Sequence, residues 1–267
     1  ALGLALGPTI SGMIVGQWGR EGLVVLMPVF IALVLLLRRI GRLGKDVTRA
    51  PVAMVHRAGL REMLDGRIGL AMALLIICSL RLVPNMAMDK VLAFTMESRG
   101  YAESATGWVQ SLFLGSASAG MILMALRFPA GWEKAFMAGC PLAGVPLLGV
   151  LAWEGCPQWL LLAALVPTGL ILWGTTPAMV SYAQQQFPNG GGLASAITMG
   201  AAWGLGGLIQ APITSWFQSR GTPQAAFLVF IPCLALAALG AFLLPSRERQ
   251  RAVEETTATP RLEPADA

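Results

Sequence analysis

Apolar residues in this chain do not alternate with polar ones; they form long runs broken by short polar punctuation. Eight runs stand out: 1–16, 22–37, 68–96, 105–126, 135–153, 159–182, 193–216 and 224–244. At 1.5 Å of rise per residue, a helix needs about 20 apolar residues to cross ~30 Å of hydrocarbon. Most of these runs therefore predict a spanning helix on length alone, although the first opens in mid-segment and the second is short. Period-two alternation is absent, which excludes a transmembrane β-barrel. Six of the eight Trp residues (Trp18, Trp108, Trp132, Trp153, Trp159 and Trp216) fall at or near run ends, as do Tyr101 and Tyr182. Amphipathic rings prefer the headgroup layer, so their positions agree with the run boundaries. The pattern predicts an all-α polytopic membrane protein of about eight transmembrane helices.

Composition agrees. Of 267 residues, 55% are hydrophobic and only 12% are charged, about half the charge of a soluble domain. Cys78, Cys140 and Cys233 lie inside apolar runs and Cys156 in a short turn, with no C-x-x-C pair and no metal spacing. They read as small hydrophobes, and no metal site is expected. The chain opens on Ala1 without an initiator Met or a signal-peptide pattern, and this reads as a fragment that has lost its front.

The net charge of +5 is explained by where the bases lie. Counting gaps alternately, one side holds fourteen Arg and Lys: eight in the 38–67 loop, Arg127 and Lys134 in one turn, and four in the tail. The other side holds Arg20, Arg99 and Arg220. The positive-inside rule places the crowded side, and the C-terminus, in the cytoplasm. A Cys at Thr48 or Thr257 is thus expected to escape an external reagent that reaches one at Ser219. The basic balance reports topology, and no nucleic-acid partner is expected. The lone histidine, His56, reads as a solvated loop residue. The expected organisation is 1–37, the last two helices of an N-terminal half; 38–67, a basic cytoplasmic loop; 68–245, a complete six-helix half; and 246–267, a charged disordered tail.

The opening run carries Gly3, Gly7, Pro8, Ser11 and Gly12. Small residues at four-residue spacing clear one helix face for close approach, and a proline permits a bend. This string resembles the G-x-x-x-G-P-x-x-G-G signature in the fifth helix of major facilitator superfamily antiporters, with Ser11 in place of one glycine. The stretch from Tyr182 through Gln184, Phe187 and Pro188 to Ser195, Gly200, Gly204, Gly206 and Gly207 is similar to the tenth-to-eleventh helix region of that superfamily. With the Arg99-Gly100-Tyr101 turn, it looks most like the fosmidomycin-resistance-like drug exporters. One feature departs: the loop after the eighth helix ends Met124-Ala125-Leu126-Arg127 without the usual acid, which puts a charge-relay role there in doubt. Gly204 to Gly207 lacks the strand of a dinucleotide loop, and Gly190-Gly191-Gly192 lacks the Lys-Ser/Thr of a phosphate loop.

Within the runs only Arg81, Asp89 and Lys90 are charged, all on the 68–96 segment. Arg81 lies about 20 Å along that helix from Ile68, near the midplane. An arginine there costs ~2.5–3.5 kcal/mol on insertion scales, so it should face protein or a wet cavity. Arg81, Asn85 and Asp89 recur every fourth residue and are the candidate substrate and proton pathway. Arg81 is read as an anion holder or a structural link to a neighbouring helix. Asp89 is read as a proton exchanger or an interfacial acid. Gln110, Gln184 and Gln210 are further candidate lining residues, or interhelical hydrogen bonds.

The resemblance implies secondary active transport by alternating access: proton-coupled efflux of a small amphiphilic or anionic molecule across a bacterial inner membrane, as in drug resistance. It implies no cofactor beyond the proton gradient. The expected partners are the bilayer, the small-molecule substrate and the missing N-terminal half. Two other classes remain. A membrane enzyme needs a nucleophile–base pair or metal ligands at depth, and the runs offer no histidine and one acid. A non-transporting scaffold or degenerate remnant of a transporter is the other.

Overall fold

The computed structural model describes residues 2–43, 66–127, 129, 131–187 and 190–245. Most of the 38–67 loop, His56 and the tail from 246 lie outside the described residues. What is described is helical, without a strand. Helix α1 is Leu2–Trp18; a 3₁₀ turn, Arg20–Leu26, leads into α2, Met27–Leu43. Then come α3, Ile68–Ser98; α4, Glu103–Arg127; α5, Glu133–Ala152; α6, Gln158–Gln186; α7, Gly191–Ser219; and α8, Ala226–Leu243. A π-helical turn over Ala196–Ala201 interrupts α7.

Seven of these segments are long and apolar enough to cross a membrane, counting the 3₁₀ turn with α2 as one span. Helix α1, at 17 residues, falls just short of the span length. The chain is an integral membrane protein. The six Trp residues expected at run ends are all exposed, between 49% and 70%, whereas Trp173 and Trp203 meet edge to face inside, 5.6 Å apart.

Helices α3 to α8 form one bundle. Helix α3 is its axis and touches α4, α6, α7 and α8, while α4 packs on α6, and α5 on both α6 and α8. Apolar side chains gather into two clusters stacked along the bundle. One contains Val83, Met88, Phe113, Leu148, Leu165 and Phe227; the other Leu74, Cys78, Leu82, Met137, Met179 and Ala241. Trp203 packs against both. Each end is tied separately. At the Tyr101 end, Arg99 donates to the Cys156 and Glu154 carbonyls and to Gln224 Oε1, each at 3.2 Å. At the Trp132 end, Gln185 donates to Glu133 at 2.9 Å and the Tyr182 hydroxyl to the Pro245 carbonyl at 2.8 Å.

Helix α1 lies antiparallel on α4, and this is its main contact with the bundle. The reason is a glycine on each side. A Cβ built at Gly107 would fall 2.6 Å from the Pro8 carbonyl oxygen and 3.2 Å from Gly12 Cα; one at Gly12 would fall 3.0 Å from the Glu103 carbonyl. The helices therefore cross backbone to backbone, the close approach that small residues permit in a bilayer. The Thr9 amide and hydroxyl both donate to Ser111 Oγ, at 2.8 and 2.5 Å. Helix α2 packs on the preceding 3₁₀ turn, and none of its span is buried among the described residues.

Candidate functional site

Two polar constellations sit on α3, and they face different neighbours. The first lies where the two apolar clusters meet. Arg81 is 2% exposed and Asn85 is fully buried. One Arg81 terminal nitrogen donates to the Leu172 carbonyl at 2.5 Å and to Thr175 Oγ1; the other donates to Thr176 Oγ1 at 3.1 Å. Asn85 Nδ2 reaches the same carbonyl at 3.4 Å. Thr175 also donates to Leu172 O at 2.8 Å, so one carbonyl on α6 collects three side-chain donors. Among the described residues, no carboxylate hydrogen-bonds Arg81. The guanidinium hydrogen-bonds α3 to α6 at mid-height. Arg81 Nε and Asn85 Oδ1 are buried without partners.

The second constellation lies between α3, α4 and α1 toward the Tyr101 end. Gln110 Nε2 donates to the Asp89 backbone carbonyl at 2.9 Å and so links α4 to α3. Asp89 is partly buried, and its Oδ1 is shut off from solvent without a partner. Lys90 beside it is exposed. One turn further along the same face come Ala93 and then Glu97. These two, with Gln110, Glu103, Val15 and Leu23, help line a cavity of about 350 Å³ between α1 and the bundle. Pro8, Ser11 and Gly12 of the opening motif belong to its wall.

The candidate residues thus divide. Arg81 and Asn85 both reach across to α6, while Gln110 lines the cavity and bonds the Asp89 carbonyl behind it. Gln184 is exposed and donates to Ser195 Oγ at 3.0 Å, joining the end of α6 to the start of α7. Gln210 is buried and bonds within α7 to Thr214. In the opening motif, Pro8 and Gly12 meet α4, while a Cβ at Gly7 would touch nothing within 4 Å. Gly3 lies in α1. Among the described residues no group of His, Cys, Asp and Glu is placed to hold a metal.

Sequence reasoning missed Thr175, Thr176, Glu97 and Glu103. The adjacent threonines in an apolar run were a signal for the first pair, because a buried hydroxyl needs a partner. For Glu97 and Glu103 none was present, since acids near a helix end are ordinarily solvated.

No family model matches the chain, and no solved structure matches it. A stretch of 120 residues, 45% of the chain, is 32% identical to the uncharacterized MFS-type transporter YfnC of Bacillus subtilis (strain 168). The chain spans 28% of that relative's length.

Proposed function

We propose that this chain forms part of a secondary transporter of the major facilitator type, which exchanges protons for a small amphiphilic molecule by alternating access. The observation that carries this reading is the cavity between α1 and the bundle, with the unpartnered Asp89 carboxylate one turn from its wall. A carboxylate that lacks a fixed donor can hold a proton or release it at little structural cost, which proton exchange needs. The relative supports the transporter class, because its name is that of an MFS-type transporter. Alternating access in such folds rocks one helical body against another around a site near the midplane. In this reading helix α1 and the α3–α8 bundle, which meet mainly along the glycine-lined α1–α4 crossing, would be the two bodies.

In this reading Asp89 exchanges the proton, Gln110 holds its backbone, and the Arg81–Asn85 layer keeps α3 fixed to α6. In this reading the protein sits in a bacterial inner membrane, and the basic asymmetry supports an outward Tyr101 end with a cytoplasmic C-terminus. The test uses everted vesicles from cells expressing the protein, energised and loaded with acridine orange. Ethidium, added as an amphiphilic probe, should release part of the proton gradient. Asp89→Asn should abolish that release at unchanged membrane levels. Release that persists undiminished in Asp89→Asn would remove Asp89 from the pathway, and no release with a panel of amphiphiles would favour a non-transporting scaffold.

A further inference from the structure

The layer in which α3 meets α6 leaves two hydrogen-bonding positions unused. Arg81 is 2% exposed and Asn85 fully buried, yet Arg81 Nε and Asn85 Oδ1 bond to no atom of the described residues. The orientation of Asn85 is set by its neighbour, because the Leu172 carbonyl 3.4 Å from Nδ2 can only accept. One donor, the Arg81 Nε–H, and one acceptor, Asn85 Oδ1, therefore remain. Buried polar groups almost always find a partner, either in the protein or in ordered water. The two residues are four apart on α3, ~6 Å of helical rise, and both reach toward the same carbonyl. Two hydrogen bonds of ~2.9 Å, end to end, cover that distance.

We infer that this layer binds ordered water, with a molecule that accepts from Arg81 Nε and donates to Asn85 Oδ1. The pairing of one donor with one acceptor decides the chemistry of the ligand. An anion suits the guanidinium but meets the lone pairs of Oδ1. A metal cation suits Oδ1 but meets the guanidinium charge. Water both accepts and donates, and polar partners on two sides are what holds water inside a folded protein. An arginine at membrane depth is tolerable where it faces protein or water, and Arg81 then faces both. One turn further along α3, Asp89 Oδ1 is also shut off from solvent without a partner, and the same spacing accommodates a second molecule there. In the transport reading above, on which this role alone rests, that water gives Asp89 a hydrogen-bonding partner on its inner side. The fixed Arg81 charge repels hydronium and keeps the midplane closed to protons.

The test reads bound water in the purified protein and needs no gradient. Brief X-ray exposure in dodecyl maltoside makes hydroxyl radicals from bound as well as bulk water, and mass spectrometry measures the oxidation of each methionine. Met88 is fully buried and lies three residues beyond Asn85 and seven beyond Arg81, on the same side of α3. Met137 has the same reactive sulfur and is 2% exposed, but it lies on α5 near the Trp132 end. Met88 should oxidise at least about threefold faster than Met137, because it alone has water beside it. Asn85→Leu keeps the branched shape, removes the acceptor, and should bring Met88 down to the Met137 rate. Wild-type rates within that factor of each other, or unchanged Met88 oxidation in a folded Asn85→Leu, overturn the inference. The wild-type comparison decides alone if the variant does not fold. Fast Met88 oxidation without ethidium-driven proton release would overturn only the transport reading, and release without it would overturn the water site alone.

Discussion

The crossing of α1 over α4 makes a quantitative demand on Gly107. A Cβ there would stand 2.6 Å from the Pro8 carbonyl oxygen, whereas ordinary contact begins near 3.4 Å. The Cβ position is fixed by the Gly107 backbone and the atoms it meets are backbone, so no side chain can turn aside. Gly107→Ala must therefore push α1 away by about 0.8 Å, a strain of ~1–3 kcal/mol, and Gly107→Val must push further. The retreat also stretches the two Thr9–Ser111 hydrogen bonds.

A disulfide one turn away can read this displacement. A Cβ at Gly16 lies 3.9 Å from Ser104 Cβ, close to the mean for disulfide-bonded pairs. With Cys78, Cys140, Cys156 and Cys233 replaced by alanine, the pair Gly16→Cys and Ser104→Cys should cross-link readily under mild oxidation. A shift of 0.8 Å carries the pair to the edge of the bonding range, so Gly107→Ala should slow cross-linking at least about fivefold. Gly107→Val should abolish it. Gly7→Ala, whose added methyl meets nothing within 4 Å, should have no effect. Cross-linking at the parental rate in Gly107→Val would refute the backbone-to-backbone crossing.

Three further outcomes are expected. Arg81→Ala removes three buried hydrogen bonds to α6, so the purified protein should lose ~1–3 kcal/mol of stability in a detergent melt. Arg81→Lys should restore only part, since one ammonium cannot span the fork of acceptors; an unchanged melt for Arg81→Ala would sink the tether. Arg99→Ala frees the α5–α6 and α7–α8 turns together, and protease nicking near Glu154 should rise with no change near Gln185 at the other end. Single cysteines at Ser219 and Gly131 should differ in labelling of intact cells, with only Ser219 reached from outside; labelling of Gly131 instead would invert the topology.

The helices were legible because apolar run length is a direct consequence of bilayer thickness, and the eight runs correspond to the eight helices. The polar stripe on α3 was legible only in part. Arg81, Asn85 and Asp89 share a four-residue spacing, but each step of four turns an α-helix by 400°, so Asp89 is rotated about 80° from Arg81. That drift carries the stripe from α6, where Arg81 binds, to α4, where Gln110 meets the Asp89 carbonyl. Sequence spacing placed three residues on one face, and the bundle divides them between two neighbours. The cavity was not legible at all. Its carboxylates come from the end of α3 and the start of α4, its apolar wall largely from α1 and the turn after it, and only the crossing angle of α1 on α4 brings them together. Likewise no pattern marks Arg99 as a clamp, because its acceptors are two backbone carbonyls and a glutamine 125 residues away.

The division on α3 separates the Arg81 tether to α6 from Asp89, the proton exchanger of the proposed mechanism. Arg81 fixes α3 to α6 at mid-height, and Arg99 fixes its end to two turns, so the α3 wall of the cavity belongs to a tied body. The opposite wall, from Pro8 to Leu23, belongs to α1 and its turn, held to that body chiefly by α4. Any change in the cavity's shape must then come from movement at the α1–α4 crossing. The Gly16–Ser104 disulfide would pin that crossing while leaving Asp89, Glu97 and Glu103 in place. Probe-driven proton release in vesicles should stop on oxidation and return with dithiothreitol. Release that continues in fully cross-linked protein would mean that α1 and the bundle move as one piece, and the rocking surface would have to be sought elsewhere, with the π-helical turn of α7 at Ala196–Ala201 the next place to test.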